Sequence, residues 1–490
     1  MGNSTRREEW SNCIGNQKAF PLNIFRPTTL PEVIGIVQRA ENENRKVRAV
    51  GSGHSFSDIA LTDDFLIDTH GLKEVLPLDT DTLKAGTQTS TLVEVECGIT
   101  IADVNDRLDE MGLALINMGA HTAQTVVGAL STSTHGSGIE LGSAASFVKS
   151  IVVVASEGKV YRIEPADGIT DPEKFKSKHS YIELRQDDDW FKSVVIGLGC
   201  MGVVYSVTIK VREKYWLSES RTVSKWSVVK ADLLNGDVLK KNRHYEVLVN
   251  PYKLNGDHTC LVTARHEISK PDKPSPERSN RSPLSVGFAF LPRPLIKLFG
   301  KVESLKLRLI PGSAPRTIEN SIEALKDEVY EAKSYQVLDI GAPNYIDAYS
   351  SELALSADDH SYIAAAEKII ELAERNRATK KIYHTVPFSL RFVAKHDLYL
   401  SMMYGRDTCM IEVPMIDPTN GGMEILRDIE GALIELGARP HWGQVHYLAG
   451  GIGLIKEMYP MLDKWLAVRR VLNSRGTFNN AFSQRCGFDS

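Results

Sequence analysis

The stretch Val50-Gly51-Ser52-Gly53-His54-Ser55-Phe56 constrains this chain more than any other. It follows a short β-prone run, Lys46 to Val50, and sets one histidine inside a glycine turn. Glycine admits positive φ angles and lets a ligand approach the backbone closely. Successive turn N–H groups then form a concavity suited to an anion such as a pyrophosphate. His54 is either a hydrogen-bonding group of the turn or a reactive one, since imidazole acts as nucleophile as well as base. A nicotinamide fingerprint is excluded, because Phe56 stands where the third glycine of GxGxxG belongs.

A second segment, Gly119 to Gly138, is made of small residues and hydroxyls with almost no charge. Read alone, it is a Ser/Thr-rich surface loop or the wall of a ligand site. Val126, Val127, Ala129 and Leu130 in its middle favour the wall. Small hydroxyl residues among apolar ones supply hydrogen bonds to a buried, polar-headed ligand without bulk.

Four further motifs follow in order. Trp10-Ser11-Asn12 with Gly15-Asn16 and Pro27 opens the chain. Glu352-Leu353-Ala354 comes later, then Leu390-Arg391-Phe392 with Asp397-Leu398-Tyr399-Leu400-Ser401, then Arg439-Pro440-His441-Trp442-Gly443. Together with the two glycine-rich segments, these resemble the FAD-linked oxidases of the vanillyl-alcohol oxidase type. The closest match is the aldonolactone branch, which holds gulonolactone and arabinonolactone oxidases. Ala354 favours the lactone branch over alditol-oxidising relatives, which tend to have Arg there.

The resemblance implies an α+β, two-domain FAD-binding fold with an antiparallel-sheet substrate domain. Residues 1–215 would be a PCMH-type FAD-binding domain, 216–436 the substrate cap, and 437–490 a return to the first domain. FAD would be bonded covalently through His54. Cofactor contacts are expected from Val50, Gly51, Ser52, Gly53, His54, Ser55, Phe56, Gly119, Thr125, Gly128, Ser131, Thr132, Thr134, His135, Gly136, Val203, Val204 and His441. Glu352, Arg391 and Gln444 are the expected catalytic residues. Those three, with Thr125 and His446, are the expected substrate contacts. The implied reaction oxidises a CH–OH group of a sugar lactone or related alcohol by hydride transfer to flavin N5, with O2 as acceptor. A cytochrome or quinone acceptor, a non-sugar alcohol substrate, an oxygen-insensitive dehydrogenase and a catalytically silent flavin-binding protein stay open.

Three positions depart from the family pattern. Gln444 stands where Lys is usual, Ser389 where Glu is, and His396 where Asp is. Glutamine keeps a hydrogen bond near the ring but removes a charge. Arg391 lies in the apolar run Phe388 to Val393, where a charge needs a partner. Glu352 and Arg391 are expected either to pair or to clamp substrate oxygens. His121 and His135 are expected as packing or hydrogen-bonding groups.

A chain of 490 residues exceeds one compact core. Its net charge of −4 points away from nucleic acid. No apolar run approaches the ~20 residues of a membrane helix, though peripheral membrane contact stays open. The charged start, Met1 to Trp10, is not a secretory signal. Met1-Gly2-Asn3-Ser4-Thr5-Arg6 begins like an acylation site, but Arg6 replaces the needed Ser or Thr. The six cysteines include no CxxC, which reads as reduced thiols in a cytoplasmic or peripheral intracellular setting. His384, His396, His441 and His446 lack metal-ligand spacing, so no metal is expected.

Periodicity predicts a helix after Thr29, strands near Thr91–Cys97, Lys149–Ala155 and Val203–Val211, and a helix from Thr100 ended by Gly112. Beyond Trp216 it predicts strands at Tyr245–Val249, Cys260–Arg265, Ser389–Val393 and Cys409–Val413. Helices are expected near Ile322–Lys333, Tyr362–Arg377 and Met423–Leu436. Pro271 to Pro283 has the composition of a surface linker. The apolar stretch Ser285 to Phe299 is a packed loop, a lid or a partner-facing patch.

Overall fold

The computed structural model describes residues 7–276, 293–341, 347–448 and 451–489. Near the start, β1 (Asn23–Phe25), β2 (Val47–Val50) and β3 (Phe65–Asp68) form a parallel sheet in the order β1-β3-β2. Helix Leu30–Asn42 connects β1 to β2; Thr29 caps it, and Val33, Val37 and Ala40 bury its apolar face. The Gly51 turn therefore leaves the carboxyl end of a parallel strand, where open α/β sheets bind ligands.

A six-stranded sheet follows. Its strands are β4 (Val75–Leu76), β5 (Leu92–Glu96), β6 (Val148–Val154), β7 (Val160–Glu164), β8 (Ile182–Gln186) and β9 (Val203–Lys210), in the order β8-β7-β6-β9-β5-β4. The continuous apolar run of β6 is explained by its central place, between β7 and β9.

From Trp216 the chain builds an eight-stranded antiparallel sheet. The strands are β10 (Trp216–Lys225), β11 (His244–Leu254), β12 (Asp257–Ile268), β13 (Asp327–Lys333), β14 (Ala348–Ser356), β15 (Phe388–Val393), β16 (Thr408–Ile416) and β17 (Arg439–Pro440). Their order is β13-β10-β12-β11-β15-β16-β14-β17. Alternation along the strands sorts this sheet into two faces. Val247, Val249, Leu353, Leu355, Leu390, Phe392, Ile411 and Val413 share a core with helices Ser361–Thr379 and Gly422–Ile434. The residues between them, Glu246, Leu248, Ser350, Glu352, Ser389, Arg391 and Glu412, point to the opposite face.

The helix expected over Ile322–Lys333 is corrected. The helix is Ala314–Ala324, and Asp327–Lys333 is edge strand β13, paired with β10. Tyr330 and Ala332 are buried at alternate positions, and sheet pairing overrides the helical preference of the Glu, Ala and Lys around them. The helices expected near Tyr362 and Met423 form as Ser361–Thr379 and Gly422–Ile434. The Met1–Arg6 start, much of the Pro271–Pro283 linker and the apolar stretch from Ser285 lie outside the described residues; a helix covers Arg293–Leu309. After β17 the chain turns back. Trp442, Trp465, Phe482 and Phe488 join the core that holds Val47, Val153 and Val203. Among the described residues no helix is long and apolar enough to cross a membrane.

One side chain ties the glycine-turn strand to this tail. Arg48 on β2 is 2% exposed. Its Nη1 donates to the carbonyls of Gly199 (2.7 Å) and Phe478 (3.2 Å), and its Nη2 to those of Leu198 (2.9 Å) and Ile59. Arg48→Met keeps the apolar stem but leaves these carbonyls unpaired. It should cost about 3 kcal/mol or more, since bonds to charged groups are worth about 1.5–3 kcal/mol each and orphaned buried acceptors add a penalty. Denaturant unfolding of the two proteins measures this, and equal midpoints would refute it.

Candidate functional site

Gly51 and Gly53 meet different demands. A Cβ on Gly51 would lie 2.0 Å from Thr125 Oγ1, so the turn packs directly on the start of helix Val126–Ser131. Gly53 has φ +63°, a left-handed conformation that suits glycine. The turn is clamped from three sides. Cys13 N donates to Gly53 O (2.9 Å) and Asn12 Nδ2 to Ser55 O (3.0 Å). Phe56 N donates to Gly443 O (2.7 Å), and Ser57 Oγ to Trp442 O (2.7 Å). The opening motif and the Pro-His-Trp motif thus converge on the glycine turn.

Between the turn and the Gly119–Gly138 segment lies a cleft with an empty volume of about 1510 Å³, part of it open to solvent. Val50, Gly51, Ser52, Gly53, His54, Ser55, Gly119, Thr125, Gly128, Ser131, Thr132, Thr134, His135, Val204 and His441 all line it. So do Glu352, Arg391 and Gln444. A second cavity, of about 1220 Å³, borders the first and shares His54, Ala120, His121, Gln124, Arg391, Glu412 and Gln444 with it.

Four expected residues fall elsewhere. Phe56 lines the second cavity but not the cleft. Gly136 lies behind the cleft, where a Cβ would meet Met118 O at 2.3 Å. Val203 points into the core on the far side of its strand. His446 reaches neither cavity: its ring stands edge-on to Trp442 and Phe482, at centroid distances of 5.9 and 6.0 Å. Burial holds that imidazole down at about 3, so it is neutral packing.

A charged cluster occupies the seam between the cavities. Glu352 on β14 stands directly opposite Glu412 on β16. Glu412 accepts from Arg391 Nη2 at 2.8 Å, and Glu352 Oε1 lies 3.1 Å from His135 Nε2. Of the two roles expected for Glu352 and Arg391, pairing with each other is corrected: each takes a different partner, because Arg391 sits opposite Glu246 and Met410 in the ladder, one row away from Glu352. His135 Nδ1 is 2.8 Å from Gly136 O, which fixes it as N–H. Contact between the other nitrogen and a carboxylate then requires one proton held between imidazole and carboxylate. Burial pushes the Glu352 carboxyl up, but His135, aided by His441 and Arg391, outweighs it and holds it below the usual range. Burial pushes Glu412 up; Arg391 pulls it down and Glu352 pushes it up again, leaving it above the usual range.

Gln444 Oε1 is 2.7 Å from Ser350 Oγ, which is also 3.1 Å from Glu412 Oε1. A serine has one proton to give. Both contacts are satisfied when the Gln444 amide turns to donate to Ser350 and Ser350 donates to Glu412. His441 accepts at Nδ1 from Gly443 N (3.0 Å), and burial holds its ring at about 4. His121 is held at about 3 by burial, then by Arg391 and His54; its Nδ1 is buried without a partner.

Sequence reasoning missed Glu412, although a carboxylate in the apolar run Cys409–Val413 was the same signal that marked Arg391. It also missed the 197–202 loop of the cleft wall, which three glycines in Gly197-Leu198-Gly199-Cys200-Met201-Gly202 could have flagged.

Residues 21–164 match the FAD binding domain family, and residues 207–486 match the D-arabinono-1,4-lactone oxidase family. L-gulono-1,4-lactone dehydrogenase of Mycobacterium tuberculosis is 28% identical over 97% of this chain and 98% of its own. L-gulonolactone oxidase of Bos taurus is 27% identical over 98% and 97%. Among solved structures, a solvent-stable cholesterol oxidase superposes with a TM-score of 0.77 over 98% of this chain and 97% of that one, at 14% identity. The cholesterol oxidase of B. sterolicum gives 0.76 over 98% and 96%, at 15% identity. At such identities the likeness is one of fold, here the vanillyl-alcohol oxidase type.

Gly51→Val should deplete the purified protein of flavin while far-ultraviolet circular dichroism stays native, because the added methyls occupy the space between turn and Thr125. Full flavin occupancy in this variant would show that the turn does not cradle the cofactor.

Proposed function

The chain belongs to the D-arabinono-1,4-lactone oxidase family, and from that premise we propose that it oxidises a CH–OH group of a sugar lactone or related alcohol, with FAD as cofactor and O2 as acceptor. The observation that carries this reading is the meeting of Arg391, Glu412, Glu352 and Gln444 at the seam between a small-residue cleft and an adjoining cavity. The cleft fits FAD. Its wall is glycine, serine and threonine around a turn that a Cβ would fill, and the acids that line it, Glu352 and Glu412, both belong to the seam cluster.

Residues 1–215 form the cofactor domain in this proposal, 216–436 the cap, and 437–490 the returning segment. The protein works in the cytoplasm or at the periphery of an intracellular membrane; six free cysteines support that setting. Bound FAD supplies the hydride acceptor. The chain's own residues bind, orient and move a proton. Arg391 spends Nη2 on Glu412 and directs its remaining N–H groups at the substrate oxygens. Glu352 with His135 fixes the charge of the seam and holds its geometry. Glu412, raised above the usual carboxylate range, is the base that takes the hydroxyl proton. Gln444 and Ser350 orient it. Thr125 stands where the turn meets the seam.

His54 is the attachment point for the flavin ring. It borders both cavities, and burial lowers its pKa, so the imidazole is neutral and nucleophilic. Native protein precipitated with acid should carry its yellow flavin in the pellet, and His54→Ala should leave flavin in the supernatant or bind none. Flavin freed from the native protein by acid excludes the bond.

Glu412 must be deprotonated to act, so kcat/KM should rise with pH through its ionisation. That limb should lie above the ordinary carboxylate value, as its raised pKa requires. Glu412→Gln should abolish the limb and lower kcat about 10²-fold. Arg391→Ala should cost about 10²- to 10³-fold with FAD content unchanged. An intact acid limb in Glu412→Gln would remove Glu412 as the base.

A further inference from the structure

We propose that the natural substrate is amphipathic: a lactone or alcohol head at the Arg391–Glu412 seam, joined through an ester or ether oxygen to an alkyl arm that lies in the second cavity. This rests on the oxidase reading above. The second cavity is contiguous with the cleft, sharing His54, Arg391, Glu412 and Gln444 with it. One row of the sheet face runs Glu352, Glu412, Ser389, Leu248, Leu261 across strands β14, β16, β15, β11 and β12. At about 4.8 Å per strand this row spans roughly 19 Å. Its chemistry changes at Ser389: the seam side is charged, the far side apolar.

The apolar lining of this cavity includes Leu248 and Leu261 beyond Ser389, with Leu325, Val386, Pro387 and Pro414. Thr263 adds one hydroxyl to it. The two charged groups that reach this part each have a charged partner. Glu246 accepts from Arg265 Nη1 (2.6 Å) and Ser137 Oγ (2.7 Å), and Arg221 pairs with Glu219 at 2.8 Å. A sugar lactone carries oxygen on nearly every carbon. Beyond Ser389, Thr263 and Glu246 its hydroxyls would give up water against this wall without a partner for each, which disfavours binding. An alkyl chain gains by the same burial. Ser389 marks the junction. Its Oγ is buried without a hydrogen-bond partner, and the residue is 4% exposed and lines the cavity. It can donate to the oxygen that joins head to arm.

The test uses the flavin-loaded enzyme with L-gulono-1,4-lactone and its primary-hydroxyl acyl esters of increasing chain length. KM should fall roughly threefold per methylene until the arm is full, with kcat little changed. Leu248→Trp fills the arm and should flatten that dependence, so that long ester and free lactone become equal in KM. Titration calorimetry of the native protein with the same series reads the arm independently of turnover, and affinity should climb with chain length in the same way. Equal or weaker binding of the esters, by KM and by calorimetry, overturns the inference while a turned-over free lactone leaves the oxidase reading standing. Chain-dependent binding without any flavin reduction supports the arm and sinks the oxidase reading instead.

Discussion

Two carboxylates face each other across a strand pair at the seam between two cavities, and the surrounding structure is arranged to make that tolerable. Glu352 and Glu412 are direct cross-strand partners, a placement that like charges make destabilising. Each is offset by a group from another part of the chain. His135 comes from the small-residue segment and Arg391 from the neighbouring strand β15. Deleting either offset would leave a buried, uncompensated charge, a cost of several kcal/mol. The eight-stranded sheet and the Gly119–Gly138 segment are thus joined by charge as well as by packing. Further contacts stitch the same junction: a bridge between Gly138 and Val393, Ser137 on Glu246 (2.7 Å), and Ser133 on Ser401 (3.1 Å).

The parts of this arrangement that local physics dictates were legible in the sequence. A glycine turn after a β-prone run is visible without a structure, whereas the packing of Gly51 on Thr125 is a tertiary contact that only the fold reveals. Alternation exposed the strands, and a charge in an apolar strand exposed Arg391. Pairing was not legible, because register between strands far apart in sequence is a tertiary property. Arg391 and Glu352 look like partners when read alone; the ladder puts them one row apart, and Glu412 enters from a strand that begins at Thr408. Edge strand β13 was misread for the same reason: its helix-favouring Glu, Ala and Lys residues are outvoted by hydrogen bonds to β10. His446 carried no periodic signal to separate a ring packed on Trp442 from one facing a cavity.

Two of the three departures from the family pattern, Ser389 and Gln444, lie beside the seam, while nothing in the structure explains His396 in the same way. Ser389 replaces an expected acid and Gln444 an expected base, so the two changes together leave the formal charge of the seam unaltered. Both lie next to Glu412, one directly and one through a serine. Ser389 is the direct ladder neighbour of Glu412, and Gln444 reaches Glu412 through Ser350. An acid at 389 would place a third carboxylate in the row beside Glu352 and Glu412, and a base at 444 would be needed to offset it. Without both, Glu412 keeps a single charged partner, Arg391, and is free to be raised by burial. The same pair of neutral side chains ends the polar part of the row at Ser389, where the apolar wall of the second cavity begins.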